Sequence, residues 1–484
     1  MVVISTQREK SLSNEFNKYP KQGAMKQRTK FLAISLLLAV FVFTGFGCKG
    51  PDVTAITASR AVTLEYWTVF DDVDAINALI AGYRADRPYI TVNVRQLRAD
   101  ELYQRLIEAL ADDTGPDVIS VSSRSFKQFA SKLAPMPASV SDTKVQVIKG
   151  QISTETVVTP SVVAMPTLTQ IDREYVKTVR KDVVLDGQIY GLPLSMDTMA
   201  LYYNKDLLDR ASVPEPPKDW VQFQEAVKKS TRFNKLTGKI SQAGVAMGTG
   251  NNIPGADDLM YILFKQSGLN FVDDSGRAVF GNYSGDNNPA ASVVTFYTDF
   301  ANASRDTYSW SEEMPNALDN FINGSSVFFF GYSYNDPIIK ARAPQLNYDI
   351  LPMLQLDNEN PVNVANYWIQ SVVSKSKHQN EAWGLINYLA YSKANQAYLD
   401  ATGRPTALRA YIPAQKAKLE LAPFVSQVLV SDNWYRGRNY DSTRKAISDM
   451  CHDWLQPPPR ENQKIAQWQQ EIMNIAASKI NQTL

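Results

Sequence analysis

The stretch Asp186-Gly-Gln-Ile-Tyr-Gly-Leu-Pro-Leu-Ser-Met-Asp-Thr-Met-Ala-Leu-Tyr-Tyr-Asn-Lys-Asp-Leu-Leu208 carries most of the information about the fold. Gly187 permits a tight hairpin before a short strand. Pro193 predicts an extended segment, because proline fixes its own φ and biases the preceding residue away from helix. The apolar run Met199–Tyr203 predicts a buried strand, and Asn204 begins a turn that opens the next helix. Without further context, these motifs indicate the strands and turns of a fold and do not indicate a function.

Upstream of this stretch, residues 62–121 alternate between strand and helix patterns. Strand-like patterns occupy 62–66, 90–94 and 117–121, and apolar residues at helical spacing occupy 73–83 and 102–110. This β-α-β-α-β order predicts an α/β fold with a parallel sheet and helices on its faces.

The carboxyl ends of these strands are candidate ligand-binding positions, because ligands of such sheets bind just beyond them. Trp67, Asp71 and Ser122 follow or end the first and third strands. Asp72 competes with Asp71 for capping the following helix, and one cap suffices. Asp71 is therefore the candidate for contact with a ligand.

Two later regions differ from the β-α pattern in composition or in the spacing of their apolar residues. Residues 141–168 are rich in Thr, Val and Ser and predict a β-rich insertion or loop excursion to which we assign no chemistry. A helical pattern returns at Asp172–Val183, and Asn462–Ile480 predicts an amphipathic helix with Ile465, Trp468, Ile472 and Ile475 on one face.

The amino-terminal region is typical of an export signal. Residues 1–47 hold seven Lys or Arg and two acidic residues, and 31–47 carry no charge. Cys48 ends the apolar run after a glycine, an arrangement that resembles the bacterial lipobox, although Gly45 stands where Leu is usual. We expect cleavage and lipidation at Cys48 followed by a tether over 48–60; the alternative is an uncleaved anchor.

Composition excludes several function classes. The 50 basic and 49 acidic residues give no electrostatic case for nucleic-acid binding. Two cysteines do not make a disulfide framework once Cys48 is lipidated. His378 and His452 lie far apart in sequence, so neither histidine nor cysteine predicts a metal site, and no cofactor is expected.

Further segments extend the pattern of the opening stretch. They follow in the order Pro216-Pro-Lys-Asp-Trp220, Phe321-Ile-Asn-Gly-Ser-Ser326, Tyr348-Asp-Ile-Leu-Pro352 and Thr402-Gly-Arg-Pro405. Together with Asp186–Leu208 they resemble family 1 extracellular solute-binding proteins, the maltose-binding-protein-like receptors of sugar ABC importers. The resemblance runs from about Val62 to the carboxyl terminus; its main departures are 141–168 and Asp219, where the family usually has Thr.

This resemblance implies a type II periplasmic-binding-protein fold, in which two α/β lobes are joined by crossing strands beside a cleft. The crossings are expected near Leu194–Asp197 and Ala365–Trp368. The implied division is 1–47 signal peptide, 48–60 lipidated cysteine and tether, 61–194 plus 369–412 first lobe, and 195–368 plus 413–484 second lobe.

A sugar site in that cleft needs aromatic faces for C–H surfaces and polar groups for hydroxyls. The predicted ligand-binding residues are Trp67, Asp71, Ser122, Asp197, Tyr332, Tyr334, Asn366, Trp368, Arg404 and Trp434. Asp197 and Trp368 are expected to act together, one at each crossing.

The resulting functional hypothesis is a monomeric, lipid-anchored binding protein outside the cytoplasmic membrane. It would bind a sugar or oligosaccharide and deliver it to ABC permease subunits, without catalysis. The alternatives are an exported carbohydrate-active enzyme and a non-transport ligand sensor on the same fold. Ser374-Lys-Ser-Lys377 matches the Ser-x-x-Lys pattern of acyl enzymes, but it lacks a companion motif.

Overall fold

The computed structural model describes residues 60–69, 72–149, 154–285, 287–458 and 464–484. Cys48 and Asp71 lie outside the described residues, as do the predicted signal segment and most of the tether. Among the helices that are described, none combines the length and apolar character that crossing a membrane requires.

The strands follow the chain from the first lobe to the second and back. In order they are β1 (Val62–Thr68), β2 (Ile90–Gln96), β3 (Val118–Ser122), β4 (Ser139–Lys149), β5 (Thr154–Ala164), β6 (Val184–Leu185), β7 (Gln188–Ile189), β8 (Leu192–Pro193), β9 (Asp197–Thr198), β10 (Ala200–Asn204), β11 (Arg232–Phe233), β12 (Ile240–Val245), β13 (Ser326–Gly331), β14 (Tyr348–Pro352), β15 (Asn363–Asn366), β16 (Trp368–Val372) and β17 (Ser431–Asp432).

The α-helices pack on the faces of these sheets. In order they are α1 (Val73–Ala85), α2 (Leu102–Ala111), α3 (Phe126–Phe129), α4 (Leu168–Glu174), α5 (Lys177–Val183), α6 (Lys205–Arg210), α7 (Trp220–Ser230), α8 (Ala256–Gln266), α9 (Pro289–Thr298), α10 (Ala317–Ile322), α11 (Asn335–Arg342), α12 (Gln379–Tyr391), α13 (Ala394–Thr402), α14 (Ile412–Lys416), α15 (Ala422–Val425), α16 (Tyr440–Trp454) and α17 (Ile465–Asn481).

The first lobe is built on a sheet with the strand order β2-β1-β3-β16-β8. Strands β1, β2 and β3 are parallel, so the predicted β-α-β-α-β order is confirmed. Strand β16 runs antiparallel to β3 and pairs its first residue, Trp368, with Ser122 at the end of β3. Trp368 therefore lies at the carboxyl end of β3, where the sequence analysis expected a ligand to bind.

The second lobe has its own sheet, in the order β11-β12-β13-β10-β14. The predicted buried strand corresponds to β10, which is buried along its whole length between β13 and β14. Asn204 ends this strand and caps α6 by accepting a hydrogen bond from the Leu207 amide (3.0 Å). The apolar run and the turn after it are thus confirmed.

A short third sheet, β17-β15-β9, lies where the chain passes between two hydrophobic cores. Strands β9 and β15 are antiparallel, with Asn366 opposite Asp197. The two crossings expected from the sequence therefore pair with each other. A third pass, β17, runs parallel to β15 and was not anticipated.

The segment 421–428 contributes to both hydrophobic cores. The sequence analysis assigned residues 413–484 to the second lobe; Leu421, Val425 and Val428 pack in the core of the first, and Phe424 packs in the core of the second. Trp434 and the residues after β17 pack in the second core.

The hairpin that opens the fold-determining stretch is a turn with two left-handed residues. Asp186 has φ 50° and Gly187 has φ 76°, between the antiparallel strands β6 and β7. Positive φ at both central positions is the pattern of the two-residue hairpin turn that glycine favours. The hairpin predicted at Gly187 is confirmed.

The region that departs from the family pattern is a long hairpin of β4 and β5, paired from Ser139–Ala164 to Lys149–Thr154. A buried ion pair between Arg87 and Asp142 (2.6 Å) fastens its base to the first lobe. The insertion is thus β-structure, as its composition indicated.

Two helical predictions need correction. The pattern at Asp172–Val183 is split between α4 and α5, because Tyr175 and Val176 are extended and the Val176 amide donates to the Ala407 carbonyl (3.0 Å). Tertiary pairing overrides local helix preference there. In α17, Trp468 and Ile472 are buried as predicted, whereas Ile465 and Ile475 are exposed.

Candidate ligand-binding cleft

A cavity of about 370 Å³ lies against the crossing strands β9 and β15. Its lining joins residues from both lobes, namely Ala99, Ser195, Asp197, Tyr334, Asn366, Tyr367, Trp368, Arg404, Pro405 and Arg444. Five of the predicted ligand residues, Asp197, Tyr334, Asn366, Trp368 and Arg404, are in this set. The structure therefore brings half of the predicted site together.

Asp197 is the carboxylate among the described residues of this lining, and it lies in β9, almost fully buried (7% exposed). The Ser333 hydroxyl donates to one carboxylate oxygen (2.7 Å), and the Thr198 amide donates to the other (2.8 Å). Burial raises the pKa of Asp197 to about 6, although the Ser333 hydrogen bond and the nearby Arg404 oppose the rise. The group is thus ionised at neutral pH and titrates only slightly below it.

Trp368 and Asn366 line the cavity from the second crossing segment, Ala365–Trp368. Both side chains are half-buried, so part of each remains accessible. The register places Asn366 opposite Asp197, and Trp368 begins the next strand. An indole face and two hydrogen-bonding groups therefore meet at one end of the cavity.

Arg404 reaches the cavity from the loop after α13. Gly403 follows the last residue of that helix, and its φ of 62° is the left-handed conformation favoured after helix ends. The guanidinium of Arg404 interacts electrostatically with the carboxylate of Asp197. Arg404 therefore lines the cavity and also lowers the pKa of its carboxylate, Asp197.

Tyr332 and Tyr334 stack face to face, with ring centroids 5.4 Å apart and planes inclined by 15°. Tyr334 is half-buried and lines the cavity, but Tyr332 is buried beneath it. The Tyr332 hydroxyl donates to Asp258. One ring of the predicted pair thus contacts the cavity, and the other supports it from the protein interior.

Behind this stack lies a group of buried charges and rings, here called the interlobe cluster: Arg124, Asp257, Asp258, Tyr332, Trp434 and Tyr440. Arg124 follows β3 of the first lobe and pairs with Asp258 at the start of α8 in the second (2.7 Å). The Trp434 indole donates to the other oxygen of Asp258 (2.9 Å). Both members of the ion pair are almost fully buried, at 3% and 1% exposed. The pair therefore links the lobes out of contact with solvent.

Three other predicted residues, Trp67, Ser122 and Trp434, do not line the cavity. Trp67 is 6% exposed in the first core, with Arg95 lying over its ring at 5.6 Å. The Ser122 hydroxyl accepts from the Arg124 amide (3.3 Å), and Trp434 is 1% exposed within the interlobe cluster. Asp71 lies outside the described residues, although Asp72 takes the cap of α1 as anticipated.

The sequence interpretation missed Arg444, Arg124 and Asp258. Arg124 lies two residues after Ser122, which was predicted at the ligand-binding end of the third strand, so its position held a signal. Asp258 is 134 residues further along the chain, and no local pattern connects the two. Arg444 is an exposed residue of α16 that reaches the cavity only through the packing of the second lobe.

In the described part of the chain, no group of three or more His, Cys, Asp or Glu side chains is arranged to hold a metal ion. Cys451 is buried and unpaired, and burial raises the pKa of its thiol to about 12. That thiol is therefore protonated at physiological pH.

Comparison with known families and structures agrees with this architecture. The sequence model of a family described as bacterial extracellular solute-binding protein matches residues 78–422, well over half of the chain. A solute-binding protein of an ABC transporter from Thermotoga lettingae, solved with α-D-tagatose, superposes with a TM-score of 0.63 at 18% identity over 87% of this chain and 100% of that one. The cyclic α-maltosyl-1,6-maltose binding protein of Arthrobacter globiformis gives a TM-score of 0.64 at 16% identity, over 87% of this chain and 99% of that one. The predicted two-lobed fold is confirmed.

Alignments with curated relatives cover only part of this chain and of each relative. A binding protein of Brucella abortus is 23% identical over 314 residues, which are 64% of this chain and 66% of that protein. The maltodextrin-binding protein of Bacillus subtilis is 28% identical over 264 residues, 50% of this chain and 56% of the relative. The chain thus matches less than two thirds of the length of these relatives.

Proposed function

Because the chain belongs to the bacterial extracellular solute-binding protein family, we propose that it binds a carbohydrate in the interlobe cavity and delivers it to the permease of an ABC importer. One observation carries this proposal. The cavity at the crossing strands combines an accessible indole, Trp368, with the paired polar groups Asp197 and Asn366. Aromatic faces cover the C–H surface of a sugar, and carboxylates and amides bind its hydroxyls.

The position of the cavity distinguishes it from other depressions of the surface. A larger cavity of about 440 Å³ lies on the second lobe beside Trp220 and Phe296, but residues of that lobe alone line it. The interlobe cavity, at about 370 Å³, falls within the usual volume of a small-molecule site. A ligand there contacts both lobes, so its binding can favour the closed arrangement.

Known relatives support the carbohydrate class. The structural neighbour from Thermotoga lettingae was solved with tagatose, and the relative from Bacillus subtilis is named for maltodextrin. These ligands belong to those proteins, and they differ from one another. For this chain they favour a sugar without specifying which one.

The decisive experiment is a thermal-shift screen of the purified chain against neutral and charged mono- and disaccharides, followed by calorimetry. A sugar that binds the native state raises the apparent melting temperature. We expect at least one sugar to do so and to be recovered chemically unchanged after prolonged incubation. A panel without any stabilising sugar contradicts the proposal, and an altered product supports the exported enzyme instead.

We further propose that the protein is a monomer held at the outer face of the membrane by a lipid on Cys48. The charged segment, the uncharged stretch and the glycine before the cysteine support the lipid anchor. Cells expressing the chain or Cys48→Ser, labelled with a lipid precursor, test it. Label is expected on the parent chain only, and equal labelling of both contradicts the anchor.

A further inference from the structure

A smaller cavity, of about 140 Å³, lies where the inserted hairpin β4–β5 meets the first lobe. Side chains of α1, the start of β2, both hairpin strands and α12 line it. Ile90, at the amino end of β2, is in this lining, whereas the interlobe cavity lies at the carboxyl ends of the parallel strands. The two cavities are therefore at opposite ends of the first-lobe sheet.

The hairpin covers a polar face of α12. The side chain of Asn380 pairs with the backbone of β4, since its Oδ1 accepts from the Ser141 amide (2.7 Å) and its Nδ2 donates to the Ser141 carbonyl (2.8 Å). Gly384 and Asn387 follow Asn380 on the same helix face, at the spacing of successive helical turns. Polar groups of α12 are thus enclosed between the helix and the hairpin.

One of these enclosed groups is an acceptor that no described residue satisfies. The Oδ1 atom of Asn387 is buried and accepts no hydrogen bond from the described part of the chain. Leaving such an oxygen unsatisfied costs about 1–3 kcal/mol, and buried oxygens in native proteins nearly always have a donor. Because Asn387 lines the cavity, a molecule in the cavity is the natural source of that donor.

The charges beside the cavity favour a positively charged donor. Arg87 and Asp142 bind each other through two parallel hydrogen bonds (2.7 and 2.6 Å), so each neutralises the other. Glu381 is a further, half-buried carboxylate of the described lining. It lies near the hydroxyls of Tyr83 and Tyr89, whose pKa values are raised first by burial and further by Asp142 and Glu381.

The rest of the described lining is largely apolar and sets the size of a ligand. Ile90, Val140 and Val163 lie beside the ring of Tyr388. A dry cavity of about 150 Å³ holds a molecule the size of benzene, so this one has room for roughly six non-hydrogen atoms. A short alkyl chain with a charged polar end matches both the apolar and the polar wall.

We propose that this cavity binds a small primary alkylammonium ion, which donates to the Glu381 carboxylate and to Asn387 Oδ1. An ammonium group has three N–H donors and no acceptor, which suits two neighbouring oxygen acceptors. The alkyl part packs on Val140 and Val163 of the hairpin. The ion is a second ligand, separate from the sugar, and by contacting both α12 and the hairpin it fastens the hairpin to the first lobe.

Calorimetry on the full chain in an amine-free sodium phosphate buffer tests this inference. Ethylammonium is the probe, ethanol is its neutral counterpart of similar shape, and tetramethylammonium carries the charge without an N–H donor. We expect ethylammonium to bind saturably and at least about tenfold more tightly than either of the other two. It should also raise the apparent melting temperature.

Three variants connect that binding to the two acceptors, with melting curves as the folding control. Glu381→Gln keeps the shape and removes the charge, so ethylammonium should bind about tenfold more weakly. Asn387→Asp puts a charge at the buried acceptor and should strengthen binding at least about threefold. Glu108→Gln is the matched control, because Glu108 is an exposed residue of α2 outside this lining. It should leave the affinity unchanged.

Each contrary result has a definite meaning. Absence of saturable ethylammonium binding up to about 100 mM refutes the site. Equal binding of ethanol, or an unchanged affinity in Glu381→Gln, refutes the charged ligand and leaves a bound water as the donor to Asn387. Sugar affinity should be the same in Glu381→Gln as in the parent chain, so failure here is distinguishable from failure of the proposed transport function.

Discussion

The interlobe cavity and the interlobe cluster contain the same types of side chain, Asp, Arg, Tyr and Trp. The two regions differ in how far these side chains are buried and in which groups they contact. In the cluster, both oxygens of Asp258 have protein donors, Arg124 and Tyr332 on one and Trp434 on the other. In the cavity, Trp368 keeps an accessible face, and Asp197 is held by neutral donors that do not prevent burial from raising its pKa.

This difference shows why residue type alone does not locate a ligand site. Trp434 and Trp368 were both candidates in the sequence, yet Trp434 is 1% exposed and donates a hydrogen bond to Asp258. Packing decides which of two similar side chains can contact a ligand, and it leaves part of Trp368 exposed at the cavity. The comparison can be tested by breaking each region separately.

The largest effect is expected from Asp258→Ala in the cluster. The variant removes the closer of the two carboxylates beside buried Arg124 and leaves Asp257 at 3.9 Å; breaking one side of a buried ion pair costs about 3–5 kcal/mol. Urea denaturation gives the change in the free energy of unfolding. Asp319→Ala, which breaks the exposed pair with Arg342, is the control and should cost at most about 1 kcal/mol. Equal losses in the two variants contradict the structural role of the cluster.

The next effect concerns the pH dependence of Asp197. Its native pKa of about 6 exceeds the ordinary value of 3.8, so between these values the native state binds more protons than the unfolded state. The contribution of Asp197 to stability is therefore lost as pH rises from about 4 to 6, and ionisation costs roughly 3 kcal/mol at pH 7.

Asp197→Asn should remove this dependence. The ligand-free variant is expected to be more stable than the parent chain at pH 7, by up to about 3 kcal/mol, and to lose that advantage near pH 4. Denaturation curves at the two pH values measure it. A variant that is less stable at pH 7 than at pH 4, relative to the parent, has the wrong sign for this account.

A smaller effect, on affinity, is expected from Asp197→Ala and Trp368→Ala. Each should weaken binding of the cognate sugar by about 1.5–3 kcal/mol, one to two decades, without loss of the fold. Calorimetry gives the affinity, and melting curves serve as the folding control. If both folded variants bind within about twofold of the parent, the ligand lies elsewhere.

The smallest effect on affinity is expected from Trp434→Phe. The variant loses a hydrogen bond to a charged group, so the free energy of unfolding should fall by about 1.5–3 kcal/mol. Sugar affinity should stay within about twofold, because Trp434 does not line the cavity. A drop in affinity like that of Trp368→Ala would place Trp434 in the ligand site after all.

The part of the fold that depends on local sequence was predictable. The turn at Gly187, the buried strand β10 and the cap at Asn204 depend on residues within a few positions, and all three are confirmed. The break at Tyr175 was not predictable, since it depends on pairing with residues more than 200 positions away.

The candidate site was predictable to the extent that it lies on the crossing strands. Asp197, Asn366 and Trp368 were selected from those segments and line one cavity. Arg444 and the Arg124–Asp258 pair were not, because they meet only through the packing of one lobe against the other. Charge pairing across such distances leaves no trace in hydrophobic periodicity.

The three passes of the chain through the short third sheet, β17-β15-β9, have a consequence for the order in which the chain can fold. Synthesis releases the amino-terminal end first, but the core of the first lobe needs residues as far as Val428 and that of the second needs Ile480. Neither lobe can close its core until most of the polypeptide has been made. We therefore expect both lobes to complete their folding only after most of the chain has been released from the ribosome.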